Sequence, residues 1–215
     1  IMQIFWHGFS CVRIDSSYGN AEACLVTDPF ESQQSVRFPR TLKPNVVVLS
    51  HQDRKRFPLD VFEEKPFIVS DPGEYEIGGV FVHGVLWKGE EKKGPYPLLY
   101  RFEIETMSVG FLGSVSRQPS EEELGALEDI DILILPVGGE DRLNPKQAAE
   151  VVREVEPRIV VPIYRHLEGI KESLADAEIF CKELGAAERQ NLNKLKIVKK
   201  DLPAENVLVA VLERA

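Results

Sequence analysis

Three short segments, residues 46–49, 132–135 and 159–163, are apolar without a break (Val46, Val47, Val48, Leu49; Ile132 to Leu135; Ile159 to Ile163). Each is too short for a stable helix and rich in β-branched side chains. Each therefore reads as a strand covered on both faces, and not as one half-exposed strand of an open antiparallel sheet. Several such strands require layers on both sides of a sheet. The rest of the pattern agrees. Short strands are expected at 2–6, 10–15, 23–27, 67–69, 76–82, 84–87, 98–105 and 108–112, with a turn over 71–76 where Pro72 fixes φ and Gly73 relaxes it. Beyond residue 120 strands alternate with helices. Ser120 with Glu123 forms a capping box, Asn144 with Pro145 opens a helix to about 155, and a helix over about 175–184 stops at Gly185. Strands at 195–200 and 206–213 end the chain. No Gly/Ser-rich or Pro-rich linker interrupts it, so residues 1–215 read as one domain: an α/β, four-layer αββα sandwich of two packed sheets with helices outside.

Charge narrows the partners. With 26 basic and 35 acidic residues the formal net charge is -9, so a phosphate backbone is repelled and nucleic-acid binding is not expected. No apolar run reaches bilayer length, so no membrane partner is expected, and residues 2–7 do not resemble a secretory leader. The three cysteines, Cys11, Cys24 and Cys181, form no CxxC pair, which fits thiols in a reducing cytoplasm.

Several motifs, in order along nearly the whole chain, resemble the bacterial Zn-dependent hydrolase branch of the metallo-β-lactamase superfamily, the ascorbate-6-phosphate-lactonase-like group. They are Trp6 to Cys11, Thr27-Asp28-Pro29-Phe30, Ser50-His51, Pro72-Gly73-Glu74-Tyr75-Glu76, Leu112-Gly113, Asp131 to Gly139 and Pro157 to Pro162. The resemblance implies the sandwich and one or two zinc ions at its edge, which lower the pKa of a bound water. It also implies the ligand positions. The family's S-H-x-H-x-D-H falls on His51, Asp53, Lys55 and Arg56; its bridging aspartate falls on Ser114; its last histidine falls on Tyr164; and a further histidine, due near Lys88 or Gly89, is missing.

Of these, only His51 keeps the family's residue. A dication about 4 Å from a fixed cation, at an effective dielectric of 20, is disfavoured by on the order of 8 kcal/mol, and Arg56 cannot shed its proton. The expectation that follows is a non-catalytic homologue with zinc absent. In it Lys55 and Arg56 pair with acids such as Asp28 and Asp53 around a vestigial pocket of Asp28, His51, Asp53, Lys55, Arg56, Ser114 and Tyr164. Such a pocket suits a small anion, and other partners would be another copy of the chain or another protein. The alternative is a hydrolase, either metal-free or with a rebuilt metal site of His51, Asp53 and His166.

Overall fold

The computed structural model describes residues 1–18, 21–33, 35–88, 94–186 and 188–215; Gly89, one of the positions considered for the missing histidine, lies outside them. The chain opens with an antiparallel meander of β1 (Met2–Gly8), β2 (Cys11–Tyr18) and β3 (Ala21–Thr27). β4 (Val46–Val48) and β5 (Phe67–Val69) then add in parallel. β6 (Gly73–Ile77), β7 (Val80–Leu86), β8 (Leu98–Ile104) and β9 (Met107–Phe111) form a second antiparallel run. Next come α1 (Glu121–Gly125), β10 (Ile132–Pro136), α2 (Pro145–Val155), β11 (Ile159–Ile163), α3 (Ala177–Leu184), β12 (Glu188–Leu192), β13 (Leu195–Ile197) and β14 (Leu208–Leu212). The strand orders are β13-β1-β2-β3-β4-β5 and β12-β14-β11-β10-β9-β8-β7-β6.

The main core lies between the sheets, where Trp6, Ile14, Leu25 and Val48 meet Tyr100, Phe102, Phe111, Ile134 and Val161. The helices cover the outer face of the larger sheet through Ala148, Val151, Val152 and Phe180, so its central strands are buried on both faces as their apolar runs require. The smaller sheet is covered differently. Phe38, Leu42 and Phe62, from irregular chain and two short 3-10 turns, pack on Val26, Val47 and Leu49.

One local expectation changes, and one strand is additional to those expected. Residues 73–77 are strand, and the reversal sits at Gly78 and Gly79 (φ 61° and 81°), a left-handed pair suited to a tight hairpin. β12 carries no apolar alternation in Glu188-Arg189-Gln190-Asn191-Leu192. It is an exposed edge strand held by its parallel ladder to β14.

Candidate functional site

The carboxyl ends of β3, β4, β9, β10 and β11 converge with the β1–β2 turn on one edge of the sandwich. Ligand clefts form at such ends because chain leaving neighbouring parallel strands must diverge there. A cleft of about 330 Å³ opens between them, lined among others by Phe9, Asp28, Arg56, Ser114, Arg142 and Tyr164. Phe9, Asp28 and Tyr164 all have left-handed backbone (φ 47°, 38° and 44°). Non-glycine residues hold this conformation only where their surroundings impose it, and such positions concentrate at working sites.

The floor is a short chain of oxygens. Asp28, one residue past β3, is 5% exposed. Its Oδ1 accepts from the Ser50 backbone N–H at 2.7 Å, and its Oδ2 accepts from the Ser50 hydroxyl at 2.5 Å. Ser50 Oγ is in turn 2.5 Å from Ser114 Oγ, and Ser114 lines the cleft. Gly113 makes room for this: a Cβ there would lie 2.6 Å from Asp28 Oδ2. Burial pushes the Asp28 carboxyl up to about 6. The Ser50 hydrogen bonds and the charges of Arg142 and Arg56 oppose the rise.

Two arginines flank this floor. The Arg142 side chain is 12% exposed and held firmly. Its Nε donates to the Gly113 carbonyl at 3.1 Å, its Nη1 pairs with Asp141 at 2.6 Å, and its guanidinium carbon lies 4.9 Å from the Tyr164 ring centroid. Tyr164 donates its hydroxyl to Asp141 Oδ1 at 3.2 Å. Arg56 is exposed, closes a 3-10 turn capped by Asp53, and makes no side-chain hydrogen bond or ion pair among the described residues.

The sequence-derived pocket is therefore only partly assembled. Asp28, Arg56, Ser114 and Tyr164 line the cleft, whereas His51, Asp53 and Lys55 do not. His51 Nδ1 accepts from the Asp53 backbone N–H at 3.0 Å, which requires an unprotonated Nδ1. Burial, reinforced by Arg56, lowers its pKa to about 4. Asp53 Oδ1 caps the 3-10 turn through the Lys55 N–H at 3.2 Å, and Lys55 is exposed. His166 is exposed, its backbone N–H bonded to the Ala175 carbonyl. The expected ion pairs of Lys55 and Arg56 with Asp28 and Asp53 do not form: Asp28 is satisfied by Ser50, and Asp53 by backbone. Ser50 and Arg142 complete the site without having been singled out in the sequence. Ser50 was legible as the residue before His51; Arg142 carried no local signal.

A family profile described as the beta-lactamase superfamily domain matches residues 3–164. A UPF0173 protein of Pyrococcus furiosus is 34% identical over 52% of this chain and 49% of its own length, so that alignment spans about half of the relative. A UPF0173 metal-dependent hydrolase of Lysinibacillus sphaericus is 24% identical over 76% of this chain and 85% of its own. Among solved structures, one from Thermotoga maritima bears the name of a Zn-dependent hydrolase of the metallo-β-lactamase superfamily. It is 25% identical, covers 99% of this chain and 100% of its own, and superposes with a TM-score of 0.79.

These relatives overturn the expectation of a non-catalytic homologue without a metal cofactor: those with a functional name are metal-dependent hydrolases, which points to hydrolysis and to a metal. The donors around the cleft do not fit that metal. Among the described residues no three His, Cys, Asp or Glu side chains are grouped to hold an ion, and the trio His51, Asp53 and His166 is not brought together. What the cleft does chemically has to be read from its own side chains. No helix among the described residues is long and apolar enough to cross a membrane.

Proposed function

Because the chain belongs to the beta-lactamase superfamily domain family, we propose that it is a hydrolase whose reaction centre is the Asp28–Ser50–Ser114 chain at the floor of the cleft. The observation that carries this reading is the pair of 2.5 Å oxygen contacts joining a buried carboxyl to a cleft-lining hydroxyl. The names of the relatives, metal-dependent or Zn-dependent hydrolases, support hydrolysis as the reaction class.

The chemistry is general-base hydrolysis of an ester-type bond. A water beside Ser114 gives its proton to Ser114 Oγ, Ser114 passes its own to Ser50 Oγ, and Ser50 passes its own to Asp28. The hydroxide left behind attacks the carbonyl or phosphoryl centre, and as the bond to the leaving oxygen breaks, the proton on Asp28 returns through Ser50 and Ser114 to that oxygen, which restores the carboxylate. A base works best with a pKa near the working pH, and a carboxyl raised to about 6 is far better placed than one at 3.8. Preset geometry matters as much: Gly113 and the imposed backbone at Asp28 hold the carboxyl in line before substrate arrives. The free thiols Cys11, Cys24 and Cys181 suit a reducing, cytoplasmic setting.

The test is turnover of a chromogenic panel (phosphomonoester, phosphodiester, carboxyl ester and lactone), each with and without added Zn²⁺ or Mn²⁺. Asp28→Asn is expected to lower kcat/KM by about 100-fold or more on any substrate turned over. Absence of turnover across the panel, or full activity in Asp28→Asn, would overturn the reading.

A further inference from the structure

The proposed reaction leaves two guanidinium groups on the cleft wall without a role. Arg142 is fixed in place by Gly113, Asp141 and the Tyr164 ring, and its Nη2 makes no hydrogen bond among the described residues. Arg56 lines the same cleft, and its guanidinium makes no hydrogen bond or ion pair among the described residues. Neither is needed to satisfy Asp28, whose two oxygens are already taken by Ser50. Both nevertheless act electrostatically on that one carboxyl, so their fields overlap at the floor. One held and one exposed guanidinium lining a shared space have the chemistry that recognises a carboxylate or phosphate.

The cleft also carries charge of the other sign. Glu31 and Glu172 line it, and Glu172 Oε1 accepts from Gln33 Nε2 at 3.1 Å. A carboxylate only accepts, so the Gln33 amide must turn its nitrogen to Glu172 and its oxygen away. These residues therefore present acceptors and negative charge to the cleft.

Resting on the hydrolase reading above, we propose that Arg56 and Arg142 form a subsite for one anionic group of the substrate, a carboxylate or phosphate, with the remainder of the molecule neutral or cationic where it passes Glu31 and Glu172. The cleft volume of about 330 Å³ suits a metabolite-sized ligand. A polyanion would place its further charges against the two acids and is disfavoured.

The test is direct binding to the intact chain, followed by NMR or calorimetry, with inorganic phosphate, acetate, 2-aminoethyl phosphate and pyrophosphate as probes. Phosphate or acetate is expected to bind and to weaken by about tenfold in Arg142→Gln and in Arg56→Gln, the latter altering only an exposed side chain. The 2-aminoethyl ester is expected to bind at least as tightly as phosphate, and pyrophosphate no tighter despite its extra charge. Binding unchanged in both arginine variants, or pyrophosphate binding more tightly than phosphate, would overturn the proposal. So would binding of neither anion. The two readings fail separately. Anion binding that persists in Asp28→Asn, in a chain that hydrolyses nothing, would keep the subsite and discard the reaction. Turnover of neutral esters without anion binding would do the reverse.

Discussion

At the scale of single residues, the site turns on how a buried carboxyl is satisfied. Among the described residues Asp28 has no ion-pair partner; it is held by one serine through both its backbone N–H and its hydroxyl. Ser50 is thus both a support for Asp28 and the link to Ser114. Ser50→Ala keeps the backbone bond and removes the link. The expected outcome is a fall in kcat of about 10- to 100-fold with KM little changed, read by steady-state kinetics. A purely structural serine would instead lower stability and leave kcat intact. His51, the one position that keeps the residue the family resemblance implies, is committed elsewhere, accepting from Asp53 and held neutral by burial. Sequence alone named Asp28, Arg56, Ser114 and Tyr164 through motif resemblance. It gave no hint of Arg142, because the groups that fix that guanidinium, Gly113 and Tyr164, come from different strand ends and meet it only after folding.

Among the elements, agreement follows local chemistry. α2 begins where Asn144 and Pro145 require: Asn144 Oδ1 accepts from the Gln147 N–H, and the Gln147 side chain accepts from the Asn144 N–H, both at 3.0 Å. Asn144→Ala is expected to cost about 1 kcal/mol of stability in denaturant unfolding, without change in kcat. α1 and α3 likewise start and stop at their capping residues Ser120 and Gly185. Elements without a local signature were not legible. β12 exists because β14 offers a free edge, and a polar segment can fill it through backbone bonds alone. The cover of the smaller sheet was equally silent, since Phe38 and Phe62 bury themselves from irregular chain with no period to read.

For the molecule as a whole, two packed sheets bury titratable groups whose effects on stability oppose one another. His7 and His51 are lowered from 6.5 to about 4, so the stability they contribute is present above pH 6.5 and lost as pH falls through 4. Asp28 is raised from 3.8 to about 6, so its contribution is present below 3.8 and lost as pH rises through 6. Two histidines outweigh one aspartate, and the chain is expected to lose stability on acidification from 6.5 toward 4. Asp28→Asn removes the opposing effect and should steepen that loss, by on the order of 3 kcal/mol across the interval, as measured by urea unfolding at stepped pH. The most direct measurement of the reaction itself is the pH dependence of kcat/KM for the wild type beside Arg142→Gln. The expected profile rises with pH to a plateau, with an inflection near 6, and moves to higher pH in Arg142→Gln because a charge favouring the Asp28 carboxylate is gone. An inflection near the ordinary carboxyl value of 3.8, or one that stays in place when Arg142 is neutralised, would contradict the assignment of Asp28 as the base.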